Sequence, residues 1–165
     1  MGRRLTPGET RLARQVFGTA VACSRVRIGG GGFGRFAVTL GSRLCLPSYL
    51  RSADFSLAQP ALQGLFVHEL THVWQFQTRP LGTLISWARV LLSGGYGYGM
   101  PGYRYPLPFG DFRKLNLEQQ ASVVEHAFLL RQGRRTGLMP AAASVADYAA
   151  APFPLAVTHT GPWDS

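Results

Sequence analysis

The sequence predicts an α+β fold in which a small antiparallel sheet packs on one long helix and a second helix closes the same side. Three observations predict it. Short runs near residues 24–28 and 35–47 have the apolar pattern of strands. Longer runs carry capping residues, prolines and apolar faces at helical spacing. At 165 residues and 46% hydrophobic content, the chain is long enough to bury one core and short for two domains.

The N-terminal part of this pattern is a helix followed by strands. Thr6 and Glu9 stand where an N-cap and its capping-box partner belong, so a helix should start after Thr6 and end at Gly18. Residues 24–28 (SRVRI) alternate as a short strand does. Residues 35–47 (RFAVTLGSRLCLP) predict two strands joined as a hairpin by a Gly-Ser turn.

The C-terminal part predicts three more helices and one long loop. The first helix runs from about residue 59 to 77 and stops before a proline, and an apolar helix covers about 82–92. Residues 94–112 are rich in Gly, Pro and Tyr and are typical of a loop, and loops of that length are often functional. The last helix starts at Asn116, a good N-cap, and continues to about residue 132.

These elements predict a single domain over residues 1–136, followed by an Ala/Pro-rich tail over 137–165 that should be partly disordered. Cys23 and Cys45 lie in apolar runs and are expected to be buried free thiols. No run reaches the roughly 18 apolar residues of a membrane span, and residues 1–17 lack the apolar region of a signal peptide, so neither is expected. The default expectation is a cytoplasmic protein, although a specialised secretion machine would need no such signal.

The charge balance is strongly basic but has no obvious pattern. The chain has 17 basic and 8 acidic residues, a net charge of +9, and all but one of the basic residues are arginine. The arginines are scattered singly or in pairs, whereas nucleic-acid-binding proteins gather them on one face. Nucleic-acid binding is therefore the third of three functional hypotheses. The acids are so few that the position of each one is informative.

The stretch GLFVHELTHVWQFQ, residues 64–77, carries the strongest chemical signal. On a helix, His68 and His72 point the same way and can reach one ion at the ~2.0–2.1 Å of a Zn–N bond. Glu69 is turned about 100° away from His68, where it can take a proton from an attacking water. This is the H-E-x-x-H pattern of zinc hydrolases, and the alternative is an amphipathic helix with two incidental histidines.

A catalytic zinc needs a third protein ligand and an open position. We favour Glu118, in the first turn of the last helix, because the small Ala121 nearby should let that helix pack close to Gly64. Glu125 should then orient one of the histidines through its other ring nitrogen. Asp111 and His126 stay open as alternative ligands.

The motif also carries a family resemblance. HELTH followed by a downstream glutamate helix resembles the gluzincin class of zinc peptidases, to which thermolysin belongs. The resemblance implies a zincin-type active-site helix with ligands His68 and His72, the general base Glu69 and a second helix supplying the ligand Glu118. LTPGE, LFVHELTHVWQ and EQQA together resemble small bacterial proteins described as Rhs- or Vgr-related, over about residues 5–133. That likeness implies an association with secretion or toxin systems.

The chain is far shorter than thermolysin and has no counterpart of the half of that enzyme in which an extra histidine stabilises the oxyanion. Tyr103, Tyr105 and His126 are the candidate donors for that role.

The leading functional hypothesis is a zinc-dependent peptidase that holds an extended peptide along an edge strand near residues 36–47. The alternative is a catalytically weak or inactive metal-stabilised module that binds a partner in a secretion or toxin system. The presence of Glu69 favours the peptidase, because a purely structural metal site has no use for a base at that position.

Overall fold

The structure, a computed structural model, describes residues 2–31, 36–92, 101–149 and 151–153, without the side chains of residues 89–92 and 101. The described residues form an α+β fold, as predicted from the sequence. The elements are α1 (Pro7–Phe17), β1 (Arg27–Gly30), β2 (Val38–Leu40), β3 (Arg43–Leu46), α2 (Pro60–Thr78), α3 (Pro80–Leu92) and α4 (Leu117–Arg131).

The sheet is mixed, which differs from the purely antiparallel sheet that we expected. In the described part of the chain its strand order is β1-β3-β2, with β2 and β3 antiparallel and β1 and β3 parallel. The predicted hairpin is therefore confirmed, and Gly41 occupies its turn with φ of 61°. The alternation in residues 24–28 indicated which face of β1 is buried, but such a pattern does not specify the direction of a strand.

The start of α1 confirms the predicted capping box and adds a partly buried ion pair to it. The Glu9 carboxylate is fully buried and accepts hydrogen bonds from the backbone N–H groups of Thr6 (2.9 Å) and Phe55 (3.0 Å). The Arg3 guanidinium donates to both Glu9 oxygens at 2.7 Å. Glu9 thus joins the N-terminus, α1 and the turn before α2.

Helices α2 and α4 pack against each other in antiparallel directions and form the centre of the domain. A Cβ on Gly64 would lie 3.0 Å from Leu129 Cδ1 and 3.3 Å from Glu125 Oε1. Gly64 therefore permits the close approach that we expected, but its neighbours are Leu129 and Glu125 instead of Ala121. In an antiparallel pair the start of α2 faces the end of α4, which places Gly64 far from the first turn of α4.

Packing continues past the expected domain boundary at residue 136. Four residues from the segment assigned to the tail belong to the hydrophobic core: Met139, Ala143, Tyr148 and Phe153. A 3₁₀ turn over Val145–Tyr148 brings Tyr148 inward. Residues 154–165 lie outside the described residues, as do residues 94–100 of the predicted loop. The remainder of that loop places Tyr105, Phe109 and Phe112 in the core.

Two further expectations concern the cysteines and membrane-spanning helices. Cys23 and Cys45 are free thiols, as expected, but both are only partly buried. Among the described residues, no helix has both the length and the apolar character that a membrane crossing requires.

Candidate metal centre

Three side chains from α2 and the first turn of α4 converge on one point. Nε2 of His68 and Nε2 of His72 each lie 3.3 Å from the same oxygen, Oε2 of Glu118. One ligand atom from each residue lies within 4.8 Å of the others. His68 and Glu118 are buried, and His72 is largely so. The predicted triad of His68, His72 and Glu118 is thus assembled by the packing of α4 across α2.

The other nitrogen of each imidazole has its own partner. Nδ1 of His68 lies 3.0 Å from Oε2 of Glu125, and Nδ1 of His72 lies 2.8 Å from Oε1 of Gln75. Both partners present an oxygen, so each Nδ1 carries the hydrogen and donates it. The Nε2 atoms are then the groups that face Glu118. Of the two histidines that we considered for Glu125, it is therefore His68 that Glu125 contacts.

Two of the three distances within the triad are those expected around a metal ion. In a tetrahedral site with metal–ligand bonds of ~2.0–2.1 Å, neighbouring ligand atoms lie about 3.3 Å apart, which is the spacing from each histidine to Glu118. Two imidazole nitrogens and one carboxylate oxygen form a donor set that zinc accepts, and three protein ligands leave a fourth position open. The residues present therefore fit a divalent cation with one exchangeable site.

The charges of the triad also favour a bound cation. Burial by itself would lower the pKa of His68, but the hydrogen bonds that its ring donates to Glu118 and Glu125 outweigh it and raise that pKa to about 10. Burial would raise the pKa of Glu118, but the charge of His72 and the hydrogen bonds from both histidines hold it well below its usual range. The carboxylates of Glu118 and Glu125 therefore favour a positive charge on the histidine rings beside them. A metal ion bound by these side chains would supply a positive charge at the same place.

Glu69 lies beside the triad on the face that we predicted. Its carboxylate is buried, and Oε2 accepts a hydrogen bond of 2.6 Å from the hydroxyl of Thr39, on strand β2. A hydroxyl donor at that distance fixes one oxygen of the carboxylate and leaves the other for a second partner. The arrangement is suited to a base that accepts a proton from a water molecule at the open position.

A cavity of about 440 Å³ opens over this group, a size in the usual range of ligand sites. All four residues of the motif and triad, His68, Glu69, His72 and Glu118, line it. Most of the remaining wall is apolar or aromatic. It comes from β2 and the two residues before it, the 3₁₀ turn after β3, and helices α2 and α3, and it includes Phe36, Val38, Tyr49, Leu62, Leu65, Phe76 and Trp87. The polar chemistry is therefore concentrated at one end of a mainly apolar cleft.

The three candidate oxyanion donors occupy two different places. Tyr103 lines the cavity, and its ring stacks on His68 with the ring centroids 6.0 Å apart. Tyr105 and His126 lie elsewhere, in a buried group in which the Tyr105 hydroxyl contacts Nδ1 of His126 and lies 2.7 Å from the Tyr148 hydroxyl. Neither of them lines the cavity. Burial raises the pKa of Tyr105 and lowers that of His126 to about 4.

Asp111, an alternative ligand, is not part of the triad. Its carboxylate caps the 3₁₀ turn at Phe112–Lys114 and lies 3.3 Å from the Arg113 guanidinium.

Sequence reasoning missed two residues of the site, Thr39 and Gln75. Each holds the side chain of a site residue, Glu69 and His72 respectively. Gln75 is three positions after His72 on one helix, a spacing that makes contact possible and could have drawn attention to it. No local signal connects Thr39 with Glu69, because the two lie 30 residues apart and meet only in the folded chain.

Comparisons with known proteins agree with this architecture. No protein-family model matches the chain. Over 138 residues the chain is 34% identical to the type VI secretion system spike protein VgrG2b of Pseudomonas aeruginosa. That alignment covers 78% of this chain but spans only 13% of the spike protein. Among solved structures, the effector domain of P. aeruginosa VgrG2b is similar, with a TM-score of 0.66 and 34% identity, over 80% of this chain and 76% of that domain.

Proposed function

The chain belongs to the family of the VgrG2b effector domain, and from this premise we propose that it is a zinc-dependent peptidase that acts as an effector of a secretion system. The relative that contains this region is named as a type VI secretion system spike protein. Delivery by such a machine is the corresponding proposal for this chain, in place of the default expectation of a cytoplasmic protein.

One observation carries the catalytic part of the proposal, namely that Glu69 shares the cavity with the His68, His72 and Glu118 triad. A metal site that only stabilised the fold would be closed by a fourth protein ligand and would need no base beside it. Here three ligands are combined with a buried carboxylate that Thr39 holds in place. When bound, zinc would supply a Lewis acid that polarises a water molecule and a substrate carbonyl.

The residues of the chain have separate roles in this proposal. His68, His72 and Glu118 hold the ion, and Glu69 accepts a proton from the attacking water and then donates it to the amine that leaves. Tyr103 is the candidate that supplies a hydrogen bond to the oxyanion, since it alone of the three predicted donors lines the cavity. Tyr105 and His126 have no catalytic role in this proposal, and their buried contact stabilises the packing of α4.

The walls of the cleft favour a peptide substrate with apolar side chains. Within the described residues, β2 is an edge strand, and its Val38 and Thr39 line the cavity. An extended peptide added to that edge would form main-chain hydrogen bonds and pass close to Glu69. The aromatic and aliphatic wall beyond it would then receive an apolar side chain.

The test is a comparison of two variants with the wild-type chain, by metal analysis and by cleavage of casein. We expect about one zinc per chain in the wild type and in Glu69→Gln, and loss of the metal in His68→Ala. Cleavage should be lost in both variants. Gln77→Met is a suitable control, because Gln77 lies on the same helix and binds Ala22 and Ser42, away from the cavity. Cleavage by Glu69→Gln at the wild-type rate would refute the role of the base.

Family membership also supports a second candidate, a metal-stabilised module that binds a partner in the secretion system and cleaves nothing. The relative is named as a spike protein and the similar solved structure as an effector domain, and neither name specifies a reaction. This candidate predicts one bound metal that stabilises the fold, no cleavage of any substrate, and partner binding that Glu69→Gln leaves intact.

A further inference from the structure

We propose that Gln75 and Gln120 form a hydrogen-bonded relay that fixes His72 as a metal ligand, so that both are positioning residues of the site. This inference rests on the metal site that the proposed function requires. Gln75 is 3% exposed, and its amide contacts both helices of the centre. Oε1 lies 2.8 Å from Nδ1 of His72, and Nε2 donates to the carbonyl of Leu117 at 3.0 Å.

The direction of every hydrogen bond in the relay follows from backbone carbonyls, which can only accept. The Gln120 amide nitrogen faces two of them, those of Phe112 (3.3 Å) and Leu115 (3.0 Å). Oε1 of Gln120 is therefore turned away and accepts a hydrogen bond of 3.0 Å from Nε2 of Gln75. The same Nε2 also faces the carbonyl of Leu117, so the orientation of the Gln75 amide is determined twice.

The consequence for His72 is a single tautomer. Because Nε2 of Gln75 faces two acceptors, its Oε1 must face His72, and Nδ1 of His72 must carry a hydrogen to donate. In the neutral ring the lone pair is then on Nε2, the atom that lies 3.3 Å from Glu118. A ring held in this way does not have to change tautomer or rotate when a metal binds.

The relay also sets the spacing between the two ligand-bearing helices. Leu117 directly precedes Glu118, so the hydrogen bond from Gln75 to its carbonyl fixes the start of α4 relative to α2. Gln120 fixes the same turn to the segment before α4 through Phe112 and Leu115. One side chain on α2 therefore controls both the orientation of His72 and the position of Glu118.

The test compares Gln75→Met, Gln120→Met and the control Gln77→Met in the full chain. Methionine has nearly the same length as glutamine but removes the amide. Gln77 also makes hydrogen bonds across elements, but not to the site. Zinc affinity, measured by competition with a chelating dye, should fall about 10- to 100-fold in Gln75→Met. It should fall less in Gln120→Met, which does not contact His72, and stay at the wild-type value in Gln77→Met.

The second measurement is the exchange rate of the His72 Nδ1 proton, observed by NMR in ¹⁵N-labelled chain without metal. This proton is present whether the ring is neutral or protonated, so the measurement does not depend on zinc. We expect slow exchange in the wild type and Gln77→Met, and fast exchange in Gln75→Met. Equal exchange in all variants, or equal zinc affinity in Gln75→Met and Gln77→Met, would overturn the relay. A wild-type chain that binds no metal would instead refute the proposed function, and the exchange rates would still decide whether the relay exists.

Discussion

At the scale of single residues, the orientation of Glu69 depends on one hydroxyl group. Replacing Thr39 with valine removes the donor at 2.6 Å and keeps the shape of the side chain. A hydrogen bond to a charged group contributes about 1.5 kcal/mol or more, which corresponds to a loss of about tenfold in kcat. Zinc content should not change, because Thr39 is not a ligand.

The control for this prediction is Thr78→Val on α2, whose hydroxyl donates to the carbonyl of Trp74 at 2.8 Å and lies outside the cavity. Steady-state kinetics on a peptide substrate should show the loss in kcat for Thr39→Val alone. Equal rates in the two variants would mean that Glu69 is held by other contacts.

His126 provides a prediction on pH at the same scale. Burial lowers its pKa to about 4, against the pull of the nearby Glu125 carboxylate. The unfolded chain, with an ordinary histidine pKa of about 6.5, therefore binds a proton between pH 6.5 and 4 that the folded chain does not. The free energy of unfolding should fall as the pH falls through this range, by an amount of about 3 kcal/mol.

Urea unfolding of the metal-free chain at pH 6.5 and 4.5 measures this effect. His126→Gln should flatten the dependence, because glutamine does not titrate and still offers an oxygen to Tyr105. The same dependence on pH in His126→Gln as in the wild type would show that the buried His126 ring is not its source.

At the scale of elements, the contact between α2 and α4 makes Gly64 sensitive to the smallest substitution. In Gly64→Ala the new methyl group would lie 3.0 Å from Leu129 and 3.3 Å from Glu125, whose carboxylate contacts His68. Overpacking of this kind costs about 1–3 kcal/mol, which exceeds the gain of up to about 1 kcal/mol from the higher helix propensity of alanine. Zinc affinity should fall as well, since α4 must move away from α2.

Gly82→Ala in α3 is the matched control, since its Cβ would meet only Arg79 Cβ at 3.9 Å. No overpacking opposes the higher helix propensity of alanine at this position. The free energy of unfolding should therefore rise by about 0.5–1 kcal/mol. Thermal and urea unfolding should therefore show shifts of opposite sign in the two variants. A stabilised Gly64→Ala would contradict the close packing of α2 on α4.

Features that depend on neighbouring residues could be predicted from the sequence, and features that depend on long-range packing could not. The starts of α1 and α4 were predictable because a capping box is local, and Asn116 and Gln119 form it within four residues. The pair His68 and His72 was predictable for the same reason. The direction of β1 and the partners of Gly64 were not, because both depend on how distant segments pack, and no spacing along the chain encodes that packing.

At the scale of the whole molecule, the last described residues complete the core, although their Ala/Pro-rich composition predicted a tail. Tyr148 and Phe153 are 2% and 8% exposed, and the Phe153 ring contacts Trp74 of α2 with the ring centroids 4.8 Å apart. A few large side chains among many small residues lower the apparent apolar periodicity, so the pattern concealed a segment that packs. The segment covers the side of α2 that carries Trp74.

This packing predicts that residues 137–153 are needed for a stable domain. Phe153→Ala should lower the free energy of unfolding by about 3 kcal/mol, as expected for a large aromatic side chain lost from a core. Val145→Ala, in the same segment but 44% exposed, should change it by less than about 0.5 kcal/mol.

A chain that ends at residue 136 loses all four core residues of the segment and should unfold at a much lower urea concentration. The transition can be followed by tryptophan fluorescence, because unfolding exposes Trp74 to water. If the shortened chain unfolded at the same urea concentration as the full chain, residue 136 would be the true boundary and the core would be complete without Tyr148 and Phe153.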